Sequence, residues 1–280
     1  ESNYIELSPT ILYNSTNANR IISNMKITFT GRNSQIGEYF AGDYNYTSYD
    51  ISDSSTWDPL LESDVVFLIL PKTETVLDDA KRFMLSAMNS NIKHIVKIGS
   101  LGPWRLIHSQ LESFMHEARI PYTSFDIAPL MNNIFTEQYN NGVLDNYRGR
   151  ATAPYLDPRC LASAIEQCLG DEKHYYKNYS STGPKQYTIE QVAQTMKDNG
   201  FPVTDIINAK YEKTHTALKN YTHDFALMKI LGSRYLTEDW TPDTSWELKR
   251  HFNIGSRTLD QFIKDDRHIF TQNFAEDKNL

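Results

Sequence analysis

Apolar runs suited to buried strands alternate with helix-like segments from Asp50 to about residue 130, and this alternation constrains the fold more than any other feature of the chain. The run Asp64–Leu70 (DVVFLIL) is apolar on both faces, as strands of parallel sheets are. Residues 93–98 and 122–127 are further strand candidates, and helix-like segments separate the three. Strands joined through helices form right-handed crossovers, so the pattern predicts an α/β fold with a parallel sheet.

The preceding stretch begins like a dinucleotide-binding unit and is too short to complete one. Residues 27–29 form an apolar, β-rich run, and Gly31–Gly37 follows as a turn that opens into a helix. Such a unit normally continues through a full helix and a second strand, whose end binds the adenosine ribose about 20 residues on. Only residues 38–49 separate Gly37 from Asp50. The sequence therefore predicts a Rossmann-like, doubly wound parallel sheet that lacks most of the first crossover helix and the second strand.

The second half of the chain is less regular and mostly helical in pattern, for example in residues 157–169 and 188–199. We expect a Rossmann-like core over residues 25–140 and a smaller, mostly helical C-terminal cap over residues 141–280. The cap is expected to interleave with the core as a single folded body. Residues 1–24 are expected to form an N-terminal arm.

The composition is typical of a folded protein in a reducing compartment. Hydrophobic residues make up 40% of the chain and aromatic residues 12%. The net charge of −7 argues against binding to nucleic acids or to anionic membranes. No apolar run reaches the roughly 18 residues that span a bilayer, and residues 1–24 do not resemble a signal peptide. Cys160 and Cys168 lie on one predicted helix, about 12 Å apart along its axis, which is too far for a disulfide. A cytoplasmic location is therefore expected.

Five segments resemble, in order and spacing, motifs of the NmrA-like family, a branch of the atypical short-chain dehydrogenases. The turn Thr30–Gly37 (TGRNSQIG) is similar to the family's TGATGxIG, and Asn91–Gly102 (NIKHIVKIGSLG) is similar to its "gvkhiVyiSSlG" strand. The other three matches are residues 108–134, 179–196 and 251–265. The resemblance covers residues 25 to about 270. It implies an NAD(P)-binding Rossmann fold and the activity of a reductase or a regulator.

The chain departs from the family pattern in the cofactor site. Ser34 replaces the middle glycine of the turn, and its Cβ would crowd a phosphate. The residue that would hold the adenosine ribose is missing together with the second strand. The remains of a cofactor site are predicted at Gly31, Ser34, Gly37, Asp50, Leu70 and Pro71. No cofactor is therefore expected, with NAD(P)H as the alternative.

The candidates for chemistry lie near strand ends that share the carboxyl edge of the sheet. His108 and Glu112 are one helical turn apart and could pair as a proton-transfer group, although such a pair is also common on helix surfaces. Asp126, where the family has arginine, could act as a general base or cap the next helix. Ser100 could donate a hydrogen bond to substrate or belong to a turn. The predicted substrate-binding residues are Trp104, Tyr122, Phe125, Met131, Asn132 and Asn133.

These features favour an NmrA-like enzyme of specialised metabolism that has lost NAD(P)H binding. Its reaction would be a cyclisation, isomerisation or elimination by proton transfer on a small, partly hydrophobic molecule. Two alternatives stay open: an NAD(P)H-dependent reductase of the NmrA-like type, and a non-catalytic NmrA-like regulator or ligand sensor. Histidines and acidic residues lack metal-ligand spacing, so no metal is expected. The expected partner is a small molecule, and a homodimer stays open.

Overall fold

The computed structural model describes residues 25–30, 36–71, 73–102, 104–146, 150–208 and 244–266. The predicted N-terminal arm lies outside the described residues, as do Gly31 and Ser34 of the glycine-containing turn. Within the described ranges, no helix is long and apolar enough to cross a lipid bilayer.

In the part of the chain that the structure describes, nine strands form two sheets. The strands are β1 (Ile27–Thr30), β2 (Asn45–Thr47), β3 (Val65–Leu68), β4 (His94–Ser100), β5 (Tyr122–Ile127), β6 (Tyr139–Asn140), β7 (Val143–Asn146), β8 (Lys177–Ser181) and β9 (Asp205–Asn208). The main sheet has six strands in the order β2-β1-β3-β4-β5-β8, and every neighbouring pair in it is parallel. The smaller sheet has the order β6-β7-β9. The predicted α/β fold with a parallel sheet is confirmed.

Helices cover both faces of the main sheet. The α-helices are α1 (Asp58–Leu61), α2 (Val76–Ala87), α3 (Arg105–Glu117), α4 (Pro158–Cys168), α5 (Ile189–Asp198), α6 (Glu247–Phe252) and α7 (259–266). On one face, Val66 and Ile95 of the sheet share a buried core with Leu111 of α3. On the other face, Phe67 and Phe125 share a core with helices α4 and α6. Successive residues of a strand point to opposite faces, which is why β3 (VVFL), buried on both faces, is apolar at every position.

The connection between β1 and β2 is as short as the sequence predicts. Its described part contains one 3-10 helix, Gly37–Tyr39, and β2 itself has only three residues. β2 pairs directly with β1, with Phe29 opposite Tyr46. The described part of this connection therefore contains no full crossover helix, and the strand that forms beside β1 is short.

Aromatic rings fill the space beside this short crossover. Tyr44 stacks on Phe29 with ring centroids 4.2 Å apart, and Phe40 contacts Phe29 edge to face at 4.6 Å. Glu166 of α4 holds the same loop in place. Its Oε1 accepts hydrogen bonds from the backbone N–H groups of Ala41 (2.8 Å) and Gly42 (2.9 Å) and from the Tyr44 hydroxyl (3.2 Å). These contacts hold β2 against β1 without the packing of a long helix.

A third hydrophobic core lies in the C-terminal half. It joins helices α5 and α7 to the small sheet and to a π-helix at Ile134–Gln138. α5 begins with a capping box in which Thr188 and Gln191 bond each other's backbone N–H groups. The described part of the predicted cap thus contains the strands β7, β8 and β9 as well as helices. The boundary between core and cap stays a prediction.

A buried chain of polar groups crosses the main sheet near its amino edge. The N–H of Gly170 donates to His94 Nδ1 (3.1 Å), so the neutral ring carries its proton on Nε2 and donates to Thr123 Oγ1 (2.9 Å). The Thr123 hydroxyl in turn donates to the His174 carbonyl (2.7 Å). Burial and the nearby His174 ring lower the pKa of His94 to about 3, although the Asp171 charge acts in the opposite direction.

We expect this histidine to make the fold acid-sensitive. His94 is fully buried and stays neutral down to about pH 3, whereas in the unfolded chain it takes up a proton below about pH 6.5. The free energy of unfolding should therefore fall as pH drops, by about 2 to 3 kcal/mol between pH 6.5 and pH 4.5 from this group. Urea unfolding across that range measures the slope. His94→Gln should flatten the slope and His116→Gln, at an exposed site, should not; equal slopes in all three proteins would contradict the assignment.

Candidate functional site

A cleft of about 890 Å³ opens at the carboxyl ends of β1, β2 and β3. Its described lining consists of Thr30, residues 46–52, residues 69–71, Thr73 and Thr75. Open α/β sheets bind ligands along this edge. The volume lies within the roughly 300–1,000 Å³ that is usual for sites of small molecules and cofactors.

Hydrogen bonds at the base of the cleft hold its walls together. The Thr30 hydroxyl, at the end of β1, donates to the Phe67 carbonyl of β3 (3.1 Å) and accepts from the Ile69 N–H (3.0 Å). The Tyr49 hydroxyl, from the segment after β2, donates to the Ile69 carbonyl (2.5 Å). The end of β1 and the segments that follow β2 and β3 are therefore fixed relative to one another.

Asp50 is the charged residue among the described lining of this cleft, and its backbone and side chain are both anchored. Its N–H donates to Thr56 Oγ1 (3.0 Å), and its carbonyl accepts from the indole N–H of Trp57 (3.0 Å). Its Oδ1 accepts from the N–H (2.8 Å) and hydroxyl (2.7 Å) of Ser52. These bonds from Ser52 lower the pKa of the carboxyl group, so Asp50 is ionised at neutral pH.

The structure separates the residues that were predicted as remains of a cofactor site. Asp50, Leu70 and Pro71 line the cleft together. Gly37 is buried in the 3-10 helix, where its carbonyl accepts a hydrogen bond from the Tyr46 hydroxyl (3.5 Å). Gly31 and Ser34 lie outside the described residues.

A cluster of charged side chains lies farther along the sheet, between β4, β5 and α3. The Lys97 ammonium donates to Glu112 Oε1 (2.7 Å) and to Ser124 Oγ (2.9 Å). Arg105 bridges two carboxylates. Its Nη1 lies 2.8 Å from Glu112 Oε2, and its Nε lies 2.9 Å from Asp126 Oδ2. Lys97, Glu112 and Asp126 are almost completely buried, whereas 35% of the Arg105 side chain is exposed.

The pKa values of the two carboxyl groups of this cluster, Glu112 and Asp126, are shifted in opposite directions. Burial raises the pKa of Asp126 to about 6, even though the Arg105 charge opposes the shift. Burial acts in the same direction on Glu112, but the Lys97 charge and hydrogen bond outweigh it and hold the pKa of Glu112 below its usual value. The Lys97 pKa is lowered by its burial, against the pull of Glu112. Asp126 is therefore the member of this cluster that exchanges a proton nearest to neutral pH.

The Asp126 side chain lies across the neighbouring strand. A Cβ placed on Gly99 of β4 would lie 2.0 Å from Asp126 Oδ1, so only glycine leaves room for this carboxylate. Within the part of the chain that the structure describes, Oδ1 is buried and makes no hydrogen bond. Asp126 does not cap the segment that follows it, because its Oδ2 is paired with Arg105.

The predicted pair of His108 and Glu112 is replaced by other contacts. Glu112 is bound by Lys97 and Arg105, and its Oε2 also accepts from Asn178 Nδ2 (2.7 Å). His108 lies on the same face of α3, partly buried. Ser100 Oγ accepts a hydrogen bond from the Gly102 N–H (3.0 Å), which is the turn arrangement foreseen as its alternative.

The predicted substrate-binding residues do not form one surface. Tyr122 shares the Asp126 face of β5, but Phe125 points to the opposite face and packs on Tyr179 and Phe252. Phe125 therefore cannot shield Asp126 from water. The remaining residues are the fully buried Met131, the buried Asn132, and the partly exposed Trp104 and Asn133. Their roles stay predictions.

Lys97 and Arg105 were not predicted from the sequence as members of a site. Lys97 interrupts the apolar run of β4 at a buried position, and lysine is almost never fully buried without a partner. Arg105, His108 and Glu112 are spaced i, i+3 and i+7, which places them on one face of a helix. Both signals are present in the sequence, but neither identifies the partner across the sheet.

No family model matches this sequence, and no curated protein matches it significantly. Solved structures do. The NADPH-dependent quinone oxidoreductase of Escherichia coli in complex with NADPH has a TM-score of 0.66 at 18% identity, over 87% of this chain and 99% of that one. A triphenylmethane reductase of Citrobacter sp. in complex with NADP(H) has a TM-score of 0.64 at 16% identity, over 86% and 99%. A nucleoside-diphosphate-sugar epimerase of Staphylococcus aureus has a TM-score of 0.64 at 16% identity, over 85% and 99%. At these identities the similarity establishes the Rossmann-like fold.

The expectation that the protein uses no cofactor is contradicted by these comparisons. Two of the similar structures contain NADPH or NADP(H). The expectation rested on Ser34 and on the missing helix and strand. The structure gives the physical reason for the error: β2 takes the place beside β1, and a cleft of cofactor size remains at the shared carboxyl edge.

Proposed function

We propose that this protein is an NAD(P)H-dependent reductase of the NmrA-like type. The observation that carries the proposal is the cleft of about 890 Å³ at the carboxyl ends of β1, β2 and β3. Its position is the one at which doubly wound sheets bind dinucleotides. The similarity in fold to NADPH- and NADP(H)-bound reductases supports the same reading.

The residues of the cleft fit a dinucleotide. Asp50 offers an anchored carboxylate to ribose hydroxyl groups, and Leu70 and Pro71 offer an apolar wall to a base. Hydroxyl groups of Ser48 and Thr73 line the same space and can bond polar parts of the cofactor. When bound, NAD(P)H supplies a hydride to an acceptor molecule.

We assign proton handling to Asp126. Its Oδ1 is the atom that would hold the proton, because Oδ2 is occupied by Arg105. With a pKa of about 6, Asp126 keeps a proton at pH values where an ordinary aspartate has lost it. Arg105, Glu112 and Lys97 position this carboxylate. Because two carboxylates already share the Arg105 charge, the cluster favours a neutral acceptor over an anionic one.

The proposed substrate is a small, partly hydrophobic electron acceptor. The reductases of similar fold act on quinones and on triphenylmethane dyes, and these two classes form the first panel of acceptors to assay. Trp104 and Asn133, partly exposed on the α3 side and after β5, are the proposed contacts for such a molecule.

Titration of the full chain with NADPH and NADH, followed by calorimetry, tests the proposal. We expect binding with a Kd on the order of micromolar, and oxidation of the bound cofactor by at least one acceptor of the panel. Ser48→Trp should abolish binding by filling the cleft, while Asn89→Trp, at the amino edge of the sheet, should leave binding unchanged. Absence of binding by both cofactors would refute the proposal, and binding without turnover would favour the regulatory alternative.

A further inference from the structure

We propose that the cleft binds NADH in preference to NADPH, and that the Asp50 carboxylate sets this preference. The inference rests on the proposed function and concerns how the same site recognises the adenosine ribose.

The strand order places Asp50 where ribose recognition occurs. In doubly wound sheets an acidic residue at the carboxyl end of the strand beside β1 bonds the ribose 2′-hydroxyl of NAD. Here that strand is β2, which pairs with β1 from Asn45 to Thr47. Asp50 follows three residues after its end and lines the cleft. The short crossover thus brings a later part of the chain into the position of the missing ribose-binding residue.

The carboxylate is held in place before a ligand arrives. Both backbone polar groups of Asp50 are hydrogen-bonded, and Ser52 binds Oδ1 through two groups. In the described part of the chain no hydrogen bond uses Oδ2, so this oxygen is available to accept a bond from a hydroxyl group. A side chain fixed in this way binds without a large loss of conformational entropy.

The charge of the described part of the lining opposes a 2′-phosphate. Among the lining residues that the structure describes, Asp50 is the only charged one, and none is lysine, arginine or histidine. Recognition of the 2′-phosphate of NADP usually requires a nearby arginine, and a carboxylate at this point repels the phosphate. The expected preference is therefore opposite to the cofactor seen in the similar reductases, which contain NADPH or NADP(H).

Calorimetric titration of the full chain with NADH and with NADPH tests the inference. We expect NADH to bind at least about tenfold more tightly, a difference of about 1.4 kcal/mol. Asp50→Asn should weaken NADH binding and bring the two affinities within about threefold of each other. Asp43→Asn, which also removes an exposed carboxylate but lies outside the cleft lining, should leave the preference unchanged. ADP-ribose and its 2′-phosphate should show the same order without a nicotinamide.

The possible outcomes separate this inference from the proposed function. If NADPH binds more tightly than NADH, or if Asp50→Asn leaves the ratio unchanged, the inference is wrong while the proposed function stands. If neither cofactor binds, both are wrong. The fragment titrations use the unmodified chain, so the result does not depend on the folding of the Asp50 variant.

Discussion

Replacing Lys97 by methionine is expected to lower the free energy of unfolding by about 3 to 5 kcal/mol. The Lys97 side chain is fully buried, and its ammonium group bonds Glu112 and Ser124. Methionine fills a similar volume but leaves Glu112 Oε1 without a cation in a site that excludes water. Arg105 and Asn178 bind only the other oxygen. Urea denaturation at pH 7 measures the loss.

Lys93, which directly precedes the same strand β4, supplies the matched control. Lys93 pairs with Asp64 at 2.8 Å, but 63% of its side chain is exposed. Lys93→Met should therefore cost less than about 1 kcal/mol. Adding Glu112→Gln to Lys97→Met should restore part of the stability, because the buried charge is then removed. Equal losses from Lys97→Met and Lys93→Met would show that burial does not strengthen this ion pair.

Replacing Gly183 by alanine is expected to lower the free energy of unfolding by about 3 kcal/mol. Gly183 follows β8, and its N–H donates to the Pro154 carbonyl at 2.9 Å. A Cβ at this position would lie 1.8 Å from the carbonyl oxygen of Tyr155 and 2.9 Å from its carbonyl carbon. Both are backbone atoms that cannot rotate away, so the two segments must separate and lose their hydrogen bond.

The same substitution at Gly255 is the control. A Cβ on Gly255 would have no atom within 4 Å. Gly255→Ala should therefore change the free energy of unfolding by no more than about 0.5 kcal/mol. Thermal and urea unfolding of the two variants provide the comparison. If Gly183→Ala proves as stable as Gly255→Ala, the close approach between residues 154–155 and 183 does not exist in solution.

The sheet could be predicted because the local sequence shows where its strands and helices alternate. The run Asp64–Leu70 is apolar on both faces, as strands of a covered parallel sheet are, and the strand-like residues 93–98 and 122–127 alternate with helix-like segments. The shortness of the first crossover was equally readable, since it is a count of residues between Gly37 and Asp50. Both features depend on local sequence alone.

The candidate site could not be predicted in the same way, because it depends on which strands become neighbours. The pairing of β2 with β1 brings Asp50 to the edge of the cleft. Neither strand's sequence predicts this pairing. The prediction of no cofactor rested on Ser34 and on the missing helix and strand. That β2 takes the place beside β1 could not be predicted from the sequence. For the charged cluster, the partners of Lys97 come from α3 and β5, which lie 15 and 27 residues away.

The three-residue length of β2 also affects how the molecule meets other chains. β2 ends one side of the main sheet, where a strand exposes backbone N–H and C=O groups that can recruit a strand from another protein. An edge of three residues offers few such groups, and the loop held by Glu166 packs Tyr44 onto the adjacent strand β1. The short crossover therefore leaves few groups for edge-to-edge aggregation on this side of the sheet.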